Sequence, residues 1–338
     1  MPAGDLRTEL ARARAFARRL DHSDPMAPVP PANLPPGRVV ELPGRGEIFV
    51  RERLGAPSQP TVLLLHGWTA SADLNWFRVY DAVSPLGRLL AVDHRGHGRG
   101  MRSEQRFTLE DAADDAAALL RTLGTGPAIV VGYSMGGPIA ALLWQRHPDL
   151  VRGLVFEATA LEWQATRRER FVMRFMGGLE FGLRLGRPKG LLERVMRGAV
   201  DESPDLQPLL GWLKAEVRRG DPTALADAGR ALGGYDARPF AHSVNVPTAV
   251  VVTTKDRLVK PRKQRSLANA IPQATTWEVK GDHDVCLVRP REFADVTVAA
   301  ISDVIARSAQ TETPRQPQTP RQPVGLEDNT TRVAGWGV

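Results

Sequence analysis

Short, wholly apolar runs recur along this 338-residue chain and set what it can fold into. TVLLLHG ends at Gly67, LLAVDHRG passes through Asp93, AIVVGYS ends at Ser134, VRGLVFEA passes through Glu157, and TAVVVTTKD ends at Asp256. A strand that is apolar at every position has both faces covered, which is the habit of parallel sheets. Helix-period segments stand between these runs. FTLEDAADDAAALLRTLG has Thr108 as a predicted N-cap and Gly124 as a stop, and GGPIAALLWQRHPDL is closed by Pro148. EIFVRER reads as an edge strand. After TAVVVTTKD come a helix, RKQRSLANAI, a strand, TTWEVKGDHD, and a closing helix, REFADVTVAAISDVIARS. The alternation predicts an α/β fold: a mostly parallel central sheet covered by helices on both faces.

The alternation stops at about residue 159 and resumes near residue 241. The intervening stretch has a helical pattern broken by glycine and proline, so it reads as a helical cap inserted into the sheet domain. The predicted organisation is an N-terminal helix and proline-rich linker over 1–38, the first part of the core over 39–158, the cap over 159–240, the second part of the core over 241–308, and a tail over 309–338. The tail holds a near-repeat of Thr-Pro-Arg-Gln-Pro and is too polar to bury a core.

Composition excludes several classes. The net charge is +7, but only 6 of the 45 basic residues are lysine and no basic–aromatic block accompanies them, so nucleic acid is not an expected partner. The one cysteine, Cys286, excludes an intrachain disulfide and fits a reducing compartment. No run approaches the roughly 18 apolar residues that cross a bilayer, and the first residues lack a signal-peptide core. The expectation is a cytoplasmic protein. The arginine-flanked helix predicted over 5–20 is expected to dock on the body, with a weak membrane-surface contact as the alternative.

Gly132-Tyr133-Ser134-Met135-Gly136 lies between a strand and a helix. A serine on so sharp a turn is lifted above the C-terminal edge of the sheet, and its small neighbours let the chain pack closely on either side. A hydroxyl is a poor nucleophile until a base takes its proton, and the base needs a carboxylate to orient it. Asp256 follows TAVVVTT, and His283 follows TTWEVKGD, also at a strand end. Glu157 also ends a strand and is the alternative acid. His94 and His97 stand three apart beside Asp93, without the further ligand and rigid frame that a metal site needs; no metal or cofactor is expected.

With these motifs, over about residues 39–308, the chain resembles the alpha/beta hydrolase fold family. The resemblance rests on His66-Gly67-Trp68, DHRGHGRG from Asp93, GYSMGG from Gly132, Asp256 and GDHD around His283. It implies a nucleophile–acid–base order of Ser134, Asp256 and His283, and an oxyanion hole from the backbone amides of Trp68 and Met135. Such proteins often carry glycine shortly before the acid, whereas this chain reads Thr253-Thr254-Lys255-Asp256. Members with aspartate at the nucleophile position hydrolyse epoxides or haloalkanes, and Ser134 argues against both. The expected reaction is hydrolysis of a small apolar carboxylic ester through an acyl-enzyme. Lactone or carbon–carbon bond hydrolysis, or a non-catalytic ligand-binding fold, are the alternatives. In the cap, Phe171, Phe175, Leu179 and Leu183 fall at four-residue steps with Val172 and Met176 beside them. This stripe is expected to pack on the core, with Phe175 and Met176 as candidate walls of the acyl pocket. The oligomeric state is left open.

Overall fold

Eight strands form one sheet in the order β1-β2-β4-β3-β5-β6-β7-β8. The computed structural model describes residues 28–163 and 198–312. The strands are β1 (Gly37–Leu42), β2 (Gly46–Arg53), β3 (Thr61–Leu65), β4 (Arg88–Val92), β5 (Ala128–Tyr133), β6 (Val151–Glu157), β7 (Thr248–Thr253) and β8 (Thr275–Val279). The strands from β4 through β8 in that order pair in parallel, and β1 and β2 join antiparallel at one end.

The apolar runs are central strands because both of their faces are buried. Leu63 and Leu65 of β3 point into one core layer, Val62 and Leu64 into the other, as the two-residue strand period requires. On the first face pack α3 (Leu109–Thr122), α4 (Gly136–Arg146) and α7 (Pro261–Ala270). On the other lie α1 (Ala72–Trp76), α2 (Tyr80–Val83), the short α8 (Val285–Val288) and α9 (Pro290–Glu312). Thr108 caps α3 as expected, its side chain accepting from Asp111 N–H at 3.0 Å.

One strand expectation is corrected. EIFVRER is not the edge, because β1 pairs with its free side from Gly37↔Arg51 to Leu42↔Gly46. In β1 only Val40 and Leu42 are buried, which leaves almost no apolar signal.

Between β6 and β7 the described residues are helical: α5 (Leu210–Arg218) and α6 (Pro222–Gly234). Both sit over the C-terminal edge of the sheet. Glu216 of α5, fully buried, accepts from Ser71 Oγ at 2.8 Å and pairs with Arg99 at 2.5 Å. Arg99 in turn reaches Asp73 at 3.3 Å and Asp93 at 3.5 Å. The Trp68 indole N–H donates to Leu225 O of α6 at 2.7 Å. The insertion is thus fastened to the loops that follow β3 and β4. Phe171, Phe175, Met176 and the rest of the predicted stripe lie outside the described residues, as do the predicted N-terminal helix and the tail beyond residue 312; residues 309–312 continue α9 and are not tail. No described helix is long and apolar enough to cross a membrane.

Candidate active site

Ser134 stands at the turn from β5 into α4 with φ of +52°, a left-handed conformation that a side chain rarely adopts. Backbone contacts hold it there. Ser134 N–H donates to Glu157 O at 2.8 Å, and Ser134 O accepts from Thr159 Oγ1 at 2.7 Å and Gly137 N–H at 3.0 Å. The glycines around it answer to close approach. A Cβ at Gly132 would lie 2.3 Å from Gly136 O, and one at Gly136 would lie 2.2 Å from Leu65 O.

The structure brings Ser134, His283 and Asp256 into one hydrogen-bonded chain. His283 Nε2 is 2.9 Å from Ser134 Oγ, and His283 Nδ1 is 2.9 Å from Asp256 Oδ2. The carboxylate can only accept, so Nδ1 carries the proton and Nε2 accepts from the serine hydroxyl. Asp256 is buried, and its other oxygen accepts the N–H groups of Leu258 at 2.9 Å and Val259 at 2.7 Å. Thr253 Oγ1 at 2.8 Å and Gln264 Nε2 at 3.1 Å complete the donors on Oδ2. A buried negative charge is tolerated only with such partners.

Glu157, the alternative acid, is directed elsewhere. Its side chain is fully buried and accepts from Thr297 Oγ1 of α9 at 2.8 Å. Its Oε2 has no hydrogen-bond partner among the described residues. Burial with one donor pushes this carboxyl up to about 8, so at neutral pH it is mostly protonated.

Several supporting residues carry no signal in the sequence. Tyr133, next to the serine, donates its hydroxyl to His283 O at 2.6 Å and so fixes the histidine loop. Arg257, beside Asp256, pairs with Asp282 beside His283, and Lys255 N–H donates to Gly281 O at 2.9 Å. These contacts tie the acid loop to the base loop. Cys286 of α8 is buried beside the Tyr133 side chain, and burial pushes its thiol up to about 12.

Trp68 and Met135 follow β3 and β5 at the same edge. Among the described residues neither backbone N–H has an acceptor. Met135 precedes α4, where unpaired amides face outward. His66 Nδ1 bonds Gly67 O at 2.7 Å, and its Nε2 accepts from His94 N–H at 3.1 Å. Burial drives His94 down to about 3 and His97 to about 4, so both rings are neutral, and both pack against the ring of His66. No described group of three His, Cys, Asp or Glu side chains could hold a metal ion. A surface cleft of about 520 Å³ lies on another flank, between Phe77, Arg78, Asp205, Leu209, Pro290 and Arg291, and none of Ser134, Asp256 and His283 lines it.

Known proteins share this architecture. A pimeloyl-[acyl-carrier protein] methyl ester esterase of Neisseria meningitidis serogroup C is 31% identical over 220 residues, 63% of this chain and 82% of that protein. A 2-(acetamidomethylene)succinate hydrolase of Mesorhizobium japonicum is 28% identical over 273 residues, covering 78% of this chain and 92% of that one. A bromoperoxidase structure from Bacillus anthracis superposes with a TM-score of 0.69 at 19% identity, over 79% of this chain and all of its own; at that identity the likeness concerns the fold alone. Residues 60–290 match the family model described as alpha/beta hydrolase fold. With the parallel sheet and the serine turn, that match over more than half its length makes the chain a member of the alpha/beta hydrolase fold family.

Proposed function

We propose that this protein is a serine hydrolase that cleaves a carboxylic ester through an acyl-enzyme on Ser134. The observation that carries the reading is the unbroken chain Ser134 Oγ, His283 Nε2, His283 Nδ1, Asp256 Oδ2, with 2.9 Å at each hydrogen bond.

In this reading His283 Nε2 takes the hydroxyl proton as Oγ attacks the ester carbonyl carbon. Asp256 keeps the imidazole in the correct tautomer and offsets the charge of the imidazolium. The N–H groups of Trp68 and Met135 receive the oxygen that becomes negative in the tetrahedral intermediate. Each such donor is worth about 3 kcal/mol where it has been removed from other hydrolases. The intermediate collapses, the C–O bond to the alcohol breaks, and His283 returns the proton to the leaving oxygen. Water, deprotonated by the same imidazole, then releases the acid and frees Ser134. Residues 159–240 act as the cap, excluding water and bounding an apolar acyl pocket.

The methyl ester esterase among the relatives supports ester chemistry for this chain. The test is a panel of p-nitrophenyl esters of graded acyl length, with lactones alongside, on the purified protein and on Ser134→Ala. The reading expects turnover of short to medium esters that Ser134→Ala abolishes. Turnover that survives the substitution, or none on any ester, refutes it.

A further inference from the structure

Thr253 and Gln264 are both fully buried, and both converge on the carboxylate oxygen that faces His283. Thr253 ends β7, three residues before the acid. Gln264 comes back to the same point from the first turn of α7. Its Oε1 accepts from Thr253 N–H at 2.9 Å. Its Nε2 lies 2.7 Å from Val259 O, 2.7 Å from Thr253 Oγ1 and 3.1 Å from Asp256 Oδ2. The amide orientation is forced, because Thr253 N–H can only donate and Val259 O can only accept. One Nε2 hydrogen serves Val259 O, and the other is shared between Thr253 Oγ1 and Asp256 Oδ2. The Thr253 hydroxyl then has its own proton free for Asp256 Oδ2, at 2.8 Å.

We propose that Thr253 and Gln264 form a polar clamp that fixes the rotation of the Asp256 carboxylate, and with it the His283–Asp256 hydrogen bond. The inference rests on the triad reading above and makes both side chains positioning residues. The physical need is clear. The terminal torsion of an aspartate is soft, so the plane in which the carboxylate lies is set by the donors on its two oxygens. Leu258 and Val259 hold Oδ1 through their N–H groups, and the clamp holds Oδ2.

The experiment pairs steady-state kinetics on the best ester with proton NMR of the unliganded full chain, in which the hydrogen-bonded His283 Nδ1–H gives a far-downfield resonance that needs no turnover. Thr253→Val keeps the shape and removes the hydroxyl. It is expected to lower kcat about tenfold, the scale of a lost hydrogen bond to a charged group. KM should stay within about twofold, since the clamp touches no substrate. The downfield resonance should move or broaden, and Thr253→Ser should restore both readouts. Gln264→Glu is the second probe. Its protonated acid keeps one donor where the amide has two, whereas its ionised form has none and sets a like charge against Asp256, so activity should fall with rising pH in a step absent from the unsubstituted chain. A wild-type resonance and kcat in Thr253→Val, a serine variant no better than valine, or no added step in Gln264→Glu would overturn the clamp. If Thr253→Val does not fold, the serine and glutamate variants still decide. Absent turnover in the unsubstituted chain would instead overturn the ester reading, and the resonance would still report on the clamp.

Discussion

Two neighbouring strands, β6 and β7, lead to buried carboxyls, Glu157 at the end of β6 and Asp256 three residues past the end of β7, and the two carboxyls have opposite surroundings. Asp256 receives five donors on its two oxygens, from Leu258, Val259, Thr253, Gln264 and His283. Glu157 receives one, from Thr297, and leaves Oε2 without a partner among the described residues. Both lie at the sheet edge near the serine turn. The difference teaches that a strand-end position makes a carboxyl a candidate, whereas the supply of donors decides whether it can sit there as an anion. An orienting acid has to offset the imidazolium charge, so it must itself be charged. The donors around Asp256 suit the acid role proposed for it, and Glu157, with its one described donor, suits a neutral polar plug between β6 and α9.

The comparison breaks most directly at Asp256. Asp256→Asn keeps the volume but reverses the preferred histidine tautomer, and kcat on the best ester is expected to fall about 10⁴-fold. Steady-state kinetics check this. Survival of more than a tenth of the activity would remove Asp256 from the acid role.

The second expectation concerns stability at Glu157. Its folded carboxyl is raised from 4.5 to about 8, so between those values the folded chain holds a proton that the unfolded chain has released. Stability in that window therefore falls as pH rises, by about 1.4 kcal/mol per pH unit at most, and is fully retained below 4.5. Glu157→Gln abolishes this dependence. Its melting temperature should match that of the unsubstituted chain near pH 4.5 and exceed it progressively toward pH 8, with activity kept within a few-fold. Thermal melts across that range decide it, and a difference independent of pH would contradict the neutral-plug account. The smallest effect is expected at Thr297, the one donor to Glu157 among the described residues. Thr297→Val should lower stability by about 1 kcal/mol and leave kcat unchanged, as denaturant melts and kinetics can show.

How far this site can be read from the sequence follows from the same geometry. Ser134 and Asp256 are legible because each follows a wholly buried apolar strand, and His283 because it follows the last strand of the sheet, TTWEV, in the order that the serine and the acid lead one to expect. Gln264 is not, because it sits inside RKQRSLANAI and reads as one more polar helix position. Its partners become apparent only when α7 folds back on β7. Tyr133 reads as an apolar strand residue, and nothing local says that its hydroxyl holds a loop 150 residues away. Glu216 and Arg99, 117 residues apart, likewise meet only because the insertion returns over the sheet. The missed edge strand β1 has a plainer cause. With only Val40 and Leu42 buried and a proline-rich segment before it, its apolar face is too thin to register.

The account's central claim is that Asp256, acting through His283, activates Ser134. The most direct measurement is the rate at which a fluorophosphonate modifies the protein, with the adduct mapped by peptide mass spectrometry in the unsubstituted chain, Asp256→Asn and Glu157→Gln. The account predicts rapid modification at Ser134 in the unsubstituted chain and in Glu157→Gln, and slowing by several orders of magnitude in Asp256→Asn. An adduct on another residue, or slow labelling in Glu157→Gln with fast labelling in Asp256→Asn, would contradict it.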